Sequence, residues 1–101
     1  MYLEYSEQSI VDLESIIKYI AKDSKTRALQ YIDKMKSKIE LLVHTPNIGV
    51  RCKEKKINLN CRIFIFERYL VFYTIKEDTI QIRRVLHSSV NYTDKLIEGI
   101  K

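Results

Sequence analysis

The side chains best able to act on a substrate lie in the C-terminal half: Arg62, Arg68, Arg83, Arg84 and His87, with Arg51 and Lys53 before them and Tyr92 after. A set this rich in cations suits a phosphate. In a metal-free ribonuclease a base takes the 2′-hydroxyl proton, cations stabilise the pentavalent phosphate and an acid protonates the leaving oxygen. For that chemistry His87 would be the acid or base, Arg62 or Arg84 would hold phosphate, and Tyr92 would stack on a nucleobase. The simpler alternative is structural. Arg83 and Arg84 are neighbours in a strand-like run, so alternation sends them to opposite faces, where they meet carboxylates or water rather than line one pocket. A histidine at a strand end, as His87 is, can bond to backbone, and His44 just before Pro46 suits the free carbonyls of a helix C-terminus.

Other catalytic signatures are missing from the sequence. It holds no Gly-rich phosphate loop, no G-x-S-x-G and no H-E-x-x-H. Glu67, Glu77 and Asp78 fall at expected turns, where carboxylates are ordinarily solvated. Cys52 and Cys61 stand apart from any second Cys or His cluster, so zinc is not expected. Neither metal nor cofactor is implied, and in a reducing compartment the two cysteines are expected as free thiols.

The elements that position these residues are legible from periodicity. Tyr2-Leu3-Glu4-Tyr5 reads as a short strand and Ser6 as a helix N-cap. Ile10, Leu13, Ile16, Ile17 and Ile20 then recur at helical spacing to about Ala21. Ser24 offers a second cap, followed by the stripe Ala28, Ile32, Met35, Ile39 and Leu42. Pro46 ends this helix, and the short connection between the two helices predicts an antiparallel hairpin. Val50 to Asn60 is basic and weakly patterned, as in an exposed loop. The runs 61–66, 69–75 and 79–87 are rich in β-branched and aromatic residues, with tight turns at Glu67-Arg68 and Glu77-Asp78. Apolar residues occupy both phases of these strands, which predicts a sheet covered by the helix hairpin on one face and partly covered on the other. Residues 93–100 suit a short final helix. The expected class is α+β in the order β-α-α-β-β-β, a helix hairpin packed on a small, mostly antiparallel sheet.

Composition agrees. A chain of 101 residues with 46% hydrophobic and 31% charged content suits one globular domain over 1–101, with 93–101 as an extension. No apolar run approaches the roughly 20 residues of a membrane span, and the N-terminus lacks the marks of a signal peptide, so a cytoplasmic protein is expected. The net charge of +5 favours nucleic acid, an acidic protein partner or solubility, and only its location can decide among them.

The ordered motifs resemble the ParE branch of the ParE/RelE toxin superfamily. Arg68-Tyr69-Leu70-Val71-Phe72-Tyr73 and Ile80-Gln81-Ile82-Arg83-Arg84-Val85-Leu86-His87 are similar to that family's last two strands. Tyr5-Ser6, Asp12-Leu13, Ile16 and Tyr19-Ile20 resemble its first helix, and Leu41-Leu42, Pro46, Ile48-Gly49 and Arg51 resemble its turn, so the likeness spans about residues 2–92. It implies a toxin of a type II toxin–antitoxin pair that inhibits DNA gyrase, with no catalytic residues of its own. A cognate antitoxin with an acidic, partly disordered C-terminal segment is implied as partner, met by Arg51, Lys53, Arg62, Arg83 and Arg84, and operator DNA is reached only through that antitoxin. The alternative within the superfamily is RelE-type cleavage of ribosome-bound mRNA by Arg62, Arg84, His87 and Tyr92. The RelE pattern carries an arginine where this chain has Leu70, and Arg68 is displaced from that place by about 6–7 Å.

Overall fold

The computed structural model describes residues 1–90, so Tyr92 and the helix expected over 93–100 lie outside the described residues. Strand β1 (Tyr2–Tyr5) leads into helices α1 (Glu7–Ala21) and α2 (Lys25–Glu40), and a single 3-10 turn follows at Leu41–Val43. Then come β2 (Val50–Arg51), a 3-10 segment at Cys52–Lys55, and strands β3 (Arg62–Phe66), β4 (Tyr69–Lys76) and β5 (Thr79–His87). Both serine caps form as expected: the Ser6 and Ser24 hydroxyls accept from the backbone N–H of Ser9 and Arg27.

The sheet order is β1-β5-β4-β3-β2. Among the described residues β1 and β5 pair parallel, and the other pairings are antiparallel. Both tight hairpins place a glutamate at positive φ, Glu67 at 54° and Glu77 at 57°. Positive φ at the first turn position alone is the geometry that matches strand twist in two-residue loops, reached here without glycine.

The helix hairpin packs on one face through Leu13, Ile16, Ile32, Met35 and Ile39, which meet Val71, Tyr73, Ile80, Ile82 and Val85 of the sheet. Ile10 departs from the expected stripe and is 45% exposed, while Ser9 is fully buried in its stead. The Ser9 hydroxyl donates to Ser6 O at 2.8 Å, so its polar group is satisfied within the first turn.

The second face is covered by the chain's own segment 52–61, not left to an exposed loop. Cys52, Ile57 and Cys61 pack there against Ile63, Phe72 and Leu86. Three apolar residues at irregular spacing among lysines carry no period, which is why the sequence suggested a solvated loop. Cys52 and Cys61 are joined by a disulfide, contrary to the free thiols expected. Their Cα atoms lie 5.3 Å apart and Cys52 N donates to Cys61 O, a closure that compartment arguments do not foresee.

Candidate functional site

A concavity of about 820 Å³ lies between α1 and the far end of β5. Its floor is Ile16, Ile20, Val85 and Leu86; its walls are Tyr19, Tyr31, Tyr69 and His87, with Asp12, Glu67 and Arg68 at the polar rim. Helical spacing of three places Tyr19 and Ile16 on one side of α1, and the turn at 67–68 brings Arg68 and Tyr69 to the same end of the sheet. The rings form a chain. Tyr31 meets Phe66 and Tyr69 edge-on at 5.5 and 6.0 Å, and Tyr69 meets His87 at 5.3 Å. Burial, reinforced by the Glu67 carboxylate, pushes the Tyr31 phenol up to about 12, and burial also raises Tyr69. These phenols are therefore neutral hydrogen-bonding groups on an apolar body at ordinary pH. Nothing in the residue types singles these tyrosines out. Tyr19 and Tyr69 stand within the motifs that resemble the family, and Tyr31 only beside an apolar stripe.

The groove owes its shape to a short β1. That strand covers β5 only from Thr79 to Ile82, and the chain then turns into α1, with Ser6 N bonded to Ile82 O and Ser6 Oγ to Arg83 O. Beyond that point Asp12 replaces β1 at the edge. Its carboxylate accepts from Arg84 Nε at 2.8 Å, Arg84 Nη2 at 3.0 Å and Val85 N at 2.9 Å. Arg84 is only 8% exposed, so its guanidinium belongs to the fold and does not face an incoming phosphate. Arg83 is an extra residue in β5: Phe72 pairs with Arg84, Tyr73 with Ile82. This bulge breaks the simple alternation read from sequence, and Ile82 and Val85, three apart, both enter the core beneath the helices. Arg83 Nη1 donates to Gln81 Oε1 at 2.7 Å.

His87 borders the groove. Its Nδ1 accepts from Ser89 N at 3.1 Å and lies 2.7 Å from Ser89 Oγ. Leu70, at the position where RelE-type toxins carry arginine, packs against the second-face cluster that includes Leu86.

The other candidate cations gather elsewhere. Arg62 Nη1 donates to Asn47 O at 3.0 Å and Gly49 O at 2.7 Å, pinning the turn that follows α2. Tyr73 secures the same turn: its hydroxyl donates to Pro46 O at 2.7 Å and accepts from Gly49 N at 2.9 Å. Arg62, Arg51 and Lys53 line a second, smaller pocket of about 220 Å³ at the β2 side of the sheet. The structure thus brings Arg51, Lys53 and Arg62 together and separates them from Arg83, Arg84 and His87.

Comparison with known proteins agrees with this architecture. The chain is similar in structure to a chain of the chromosomal ParDE TA system from P. aeruginosa, with a TM-score of 0.70 and 22% identity over 86% of this chain and 95% of that one. No curated protein matches. Residues 3–92 match the family described as ParE toxin of type II toxin-antitoxin system, parDE. With two helices on a five-stranded, mostly antiparallel sheet and a family match over nearly its whole length, the chain belongs to the ParE toxins of type II toxin–antitoxin systems.

Proposed function

We propose that this toxin arrests growth in the cytoplasm by inhibiting DNA gyrase, and that a cognate antitoxin silences it by laying an acidic, partly disordered C-terminal segment into the groove between α1 and β5. The observation that carries the gyrase reading is the state of the would-be nuclease cations. Arg84 is bound bidentately by Asp12, Arg62 holds two backbone carbonyls, and Leu70 is apolar where the RelE pattern needs arginine. Inhibition by binding requires none of them to meet a scissile phosphate.

The antitoxin reading rests on the groove. It has aromatic anchors, Tyr19 at 68% exposure among them, beside the exposed Arg68. Apolar anchors would hold the segment, and Arg68, with Arg83 nearby on β5, would attract its carboxylates and speed association. Operator DNA would be recognised through the antitoxin's own DNA-binding part.

A supercoiling assay tests the target. The toxin should block gyrase-driven supercoiling and accumulate cleaved DNA, and the antitoxin should reverse both effects. Unimpaired gyrase, combined with cleavage of ribosome-bound mRNA, would instead establish the RelE-type activity.

A further inference from the structure

The segment 51–62 holds Arg51, Lys53, Lys55, Lys56 and Arg62 against the single carboxylate Glu54, a net charge of +4 in a chain whose total is +5. The rest of the molecule is close to neutral, so its positive field is concentrated on one surface. The fold makes that surface rigid. The Cys52–Cys61 disulfide and the buried Ile57 fasten the segment to the sheet, while Lys53, Lys55 and Lys56 stay exposed. Arg51 and Lys53 line a concavity of about 220 Å³ with Asn60 and Thr74, and Arg62 stands at its wall, engaged by the Asn47 and Gly49 carbonyls.

We propose that this surface is a sequence-blind docking site for the phosphodiester backbone of nucleic acid. The chemistry present is what phosphates require: several cations on a fixed frame, with neutral hydrogen-bonding side chains between them. Arg51 is already oriented by a bond to Glu54 at 3.0 Å, an exposed pair that a phosphate can displace at little cost. An acidic peptide is the competing occupant, but tight peptide sites are held by buried aromatic or apolar anchors. The basic pocket is bordered by the fully buried Tyr73 and the part-buried Leu59 and Ile75 but, among the described residues, by no exposed aromatic ring. The groove, beside Tyr69 at the opposite end of β4 from Thr74 and about 17 Å away along the strand, offers the exposed Tyr19. The site is thus distinct from the proposed antitoxin groove, and the inference does not depend on gyrase being the target.

The test is fluorescence anisotropy of a labelled 20-base-pair DNA duplex, and of an RNA duplex of the same sequence, titrated with the full chain between 50 and 200 mM salt. The double variant Lys53→Gln/Lys55→Gln is compared with Lys18→Gln/Lys38→Gln, which removes the same charge from exposed helix positions. Each phosphate contact adds about 0.9 to the slope of log affinity against log salt. Loss of Lys53 and Lys55 should therefore flatten the slope by about 2 and weaken binding roughly ten- to fiftyfold at 100 mM salt, with the helix variant close to the unmodified protein. Tighter binding of one duplex would identify the natural source of the phosphates. Equal losses from both double variants would show that bulk charge alone is responsible and overturn the proposal. So would a decamer of glutamate that bound at least as tightly as either duplex, since the occupant would then be an acidic peptide.

Discussion

Asp12 of α1 and Arg84 of β5, 72 residues apart in sequence, meet in a bidentate ion pair that also takes in the Val85 amide. The pair closes the edge of β5 where β1 ends, and its side chains are only 9% and 10% exposed. Removing one partner leaves a buried charge unmatched, so Asp12→Ala should destabilise the fold by about 3–5 kcal/mol. The double variant Asp12→Leu/Arg84→Met should recover much of that loss, because an apolar pair need not be desolvated as ions. Urea unfolding of the three proteins checks this; equal destabilisation by the single and double changes would show that the pair does more than match charge.

Tyr73 predicts a second, smaller effect. Its hydroxyl serves both Pro46 O and Gly49 N, and Tyr73→Phe should cost about 1–3 kcal/mol by leaving buried backbone groups unpaired. Gly49→Ala should be the more damaging change. A Cβ at Gly49 would lie 2.5 Å from the Tyr73 hydroxyl and 2.9 Å from Ile63 O, and the latter is backbone that cannot swing aside. Thermal melts rank the two, and an unchanged melting temperature for Gly49→Ala would refute the close approach.

Most of the fold was legible in the sequence, because Leu13, Ile16, Ile32, Met35 and Ile39 repeat at helical period and the strand runs are unbroken. The candidate site was legible only in part. His87 could be placed at the end of a strand, but the partner of Arg84 could not be found, since Asp12 lies 72 positions away and no local spacing links them. The bulge at Arg83 left no mark either: strand alternation assumes a regular ladder, and the extra residue appears only in the pairing with Phe72 and Tyr73. Segment 52–61 reads as solvated because its charge is conspicuous and its three buried apolar residues are aperiodic.

That segment supplies the next prediction. The disulfide closes a loop with a sequence separation of 9, and restricting the unfolded chain over so short a loop contributes about 2–3 kcal/mol. Reduction, or Cys52→Ser/Cys61→Ser, should lower stability by that amount while the hairpin and β4–β5 remain folded. The bonds from Cys52 N to Cys61 O and from Ile57 N to Cys52 O do not involve the sulfur atoms and should keep the segment in place. Hydrogen exchange should then show faster exchange confined to 52–61; exchange rising across the whole sheet would mean that the second-face cluster depends on the bond.

Alkaline pH tests the buried phenols. Tyr5 and Tyr31 are pushed up from 10.0 to about 12, in both cases chiefly by burial, with Glu40 beside Tyr5 and Glu67 beside Tyr31 adding to it. The folded state therefore holds these protons more tightly than the unfolded chain. Their contribution is fully present below pH 10 and is lost as pH rises toward 12. Tyr5→Phe should consequently lose less stability than the unmodified protein between pH 10 and 12, with no such divergence at pH 7–9. Parallel melting curves across the whole range would contradict the assignment.

The last prediction separates binding from catalysis. If toxicity comes from inhibiting a target by contact, no proton needs to be moved, and His87→Ala should leave growth arrest largely intact. His87 is a stringent position for this test because it borders the groove, stacks edge-on with Tyr69 and is held by Ser89. A metal-free nuclease deprived of its general acid or base loses about 10²–10⁴-fold in rate, so the two mechanisms differ by far more than a modest packing change would produce. Melting temperature and circular dichroism of the purified variant guard against loss of fold. Arg84→Ala cannot serve instead, since it would strand Asp12 and unfold the β5 edge for reasons unrelated to catalysis. Should His87→Ala abolish toxicity in a fully folded protein, acid–base chemistry at this histidine would displace gyrase inhibition as the account of this toxin.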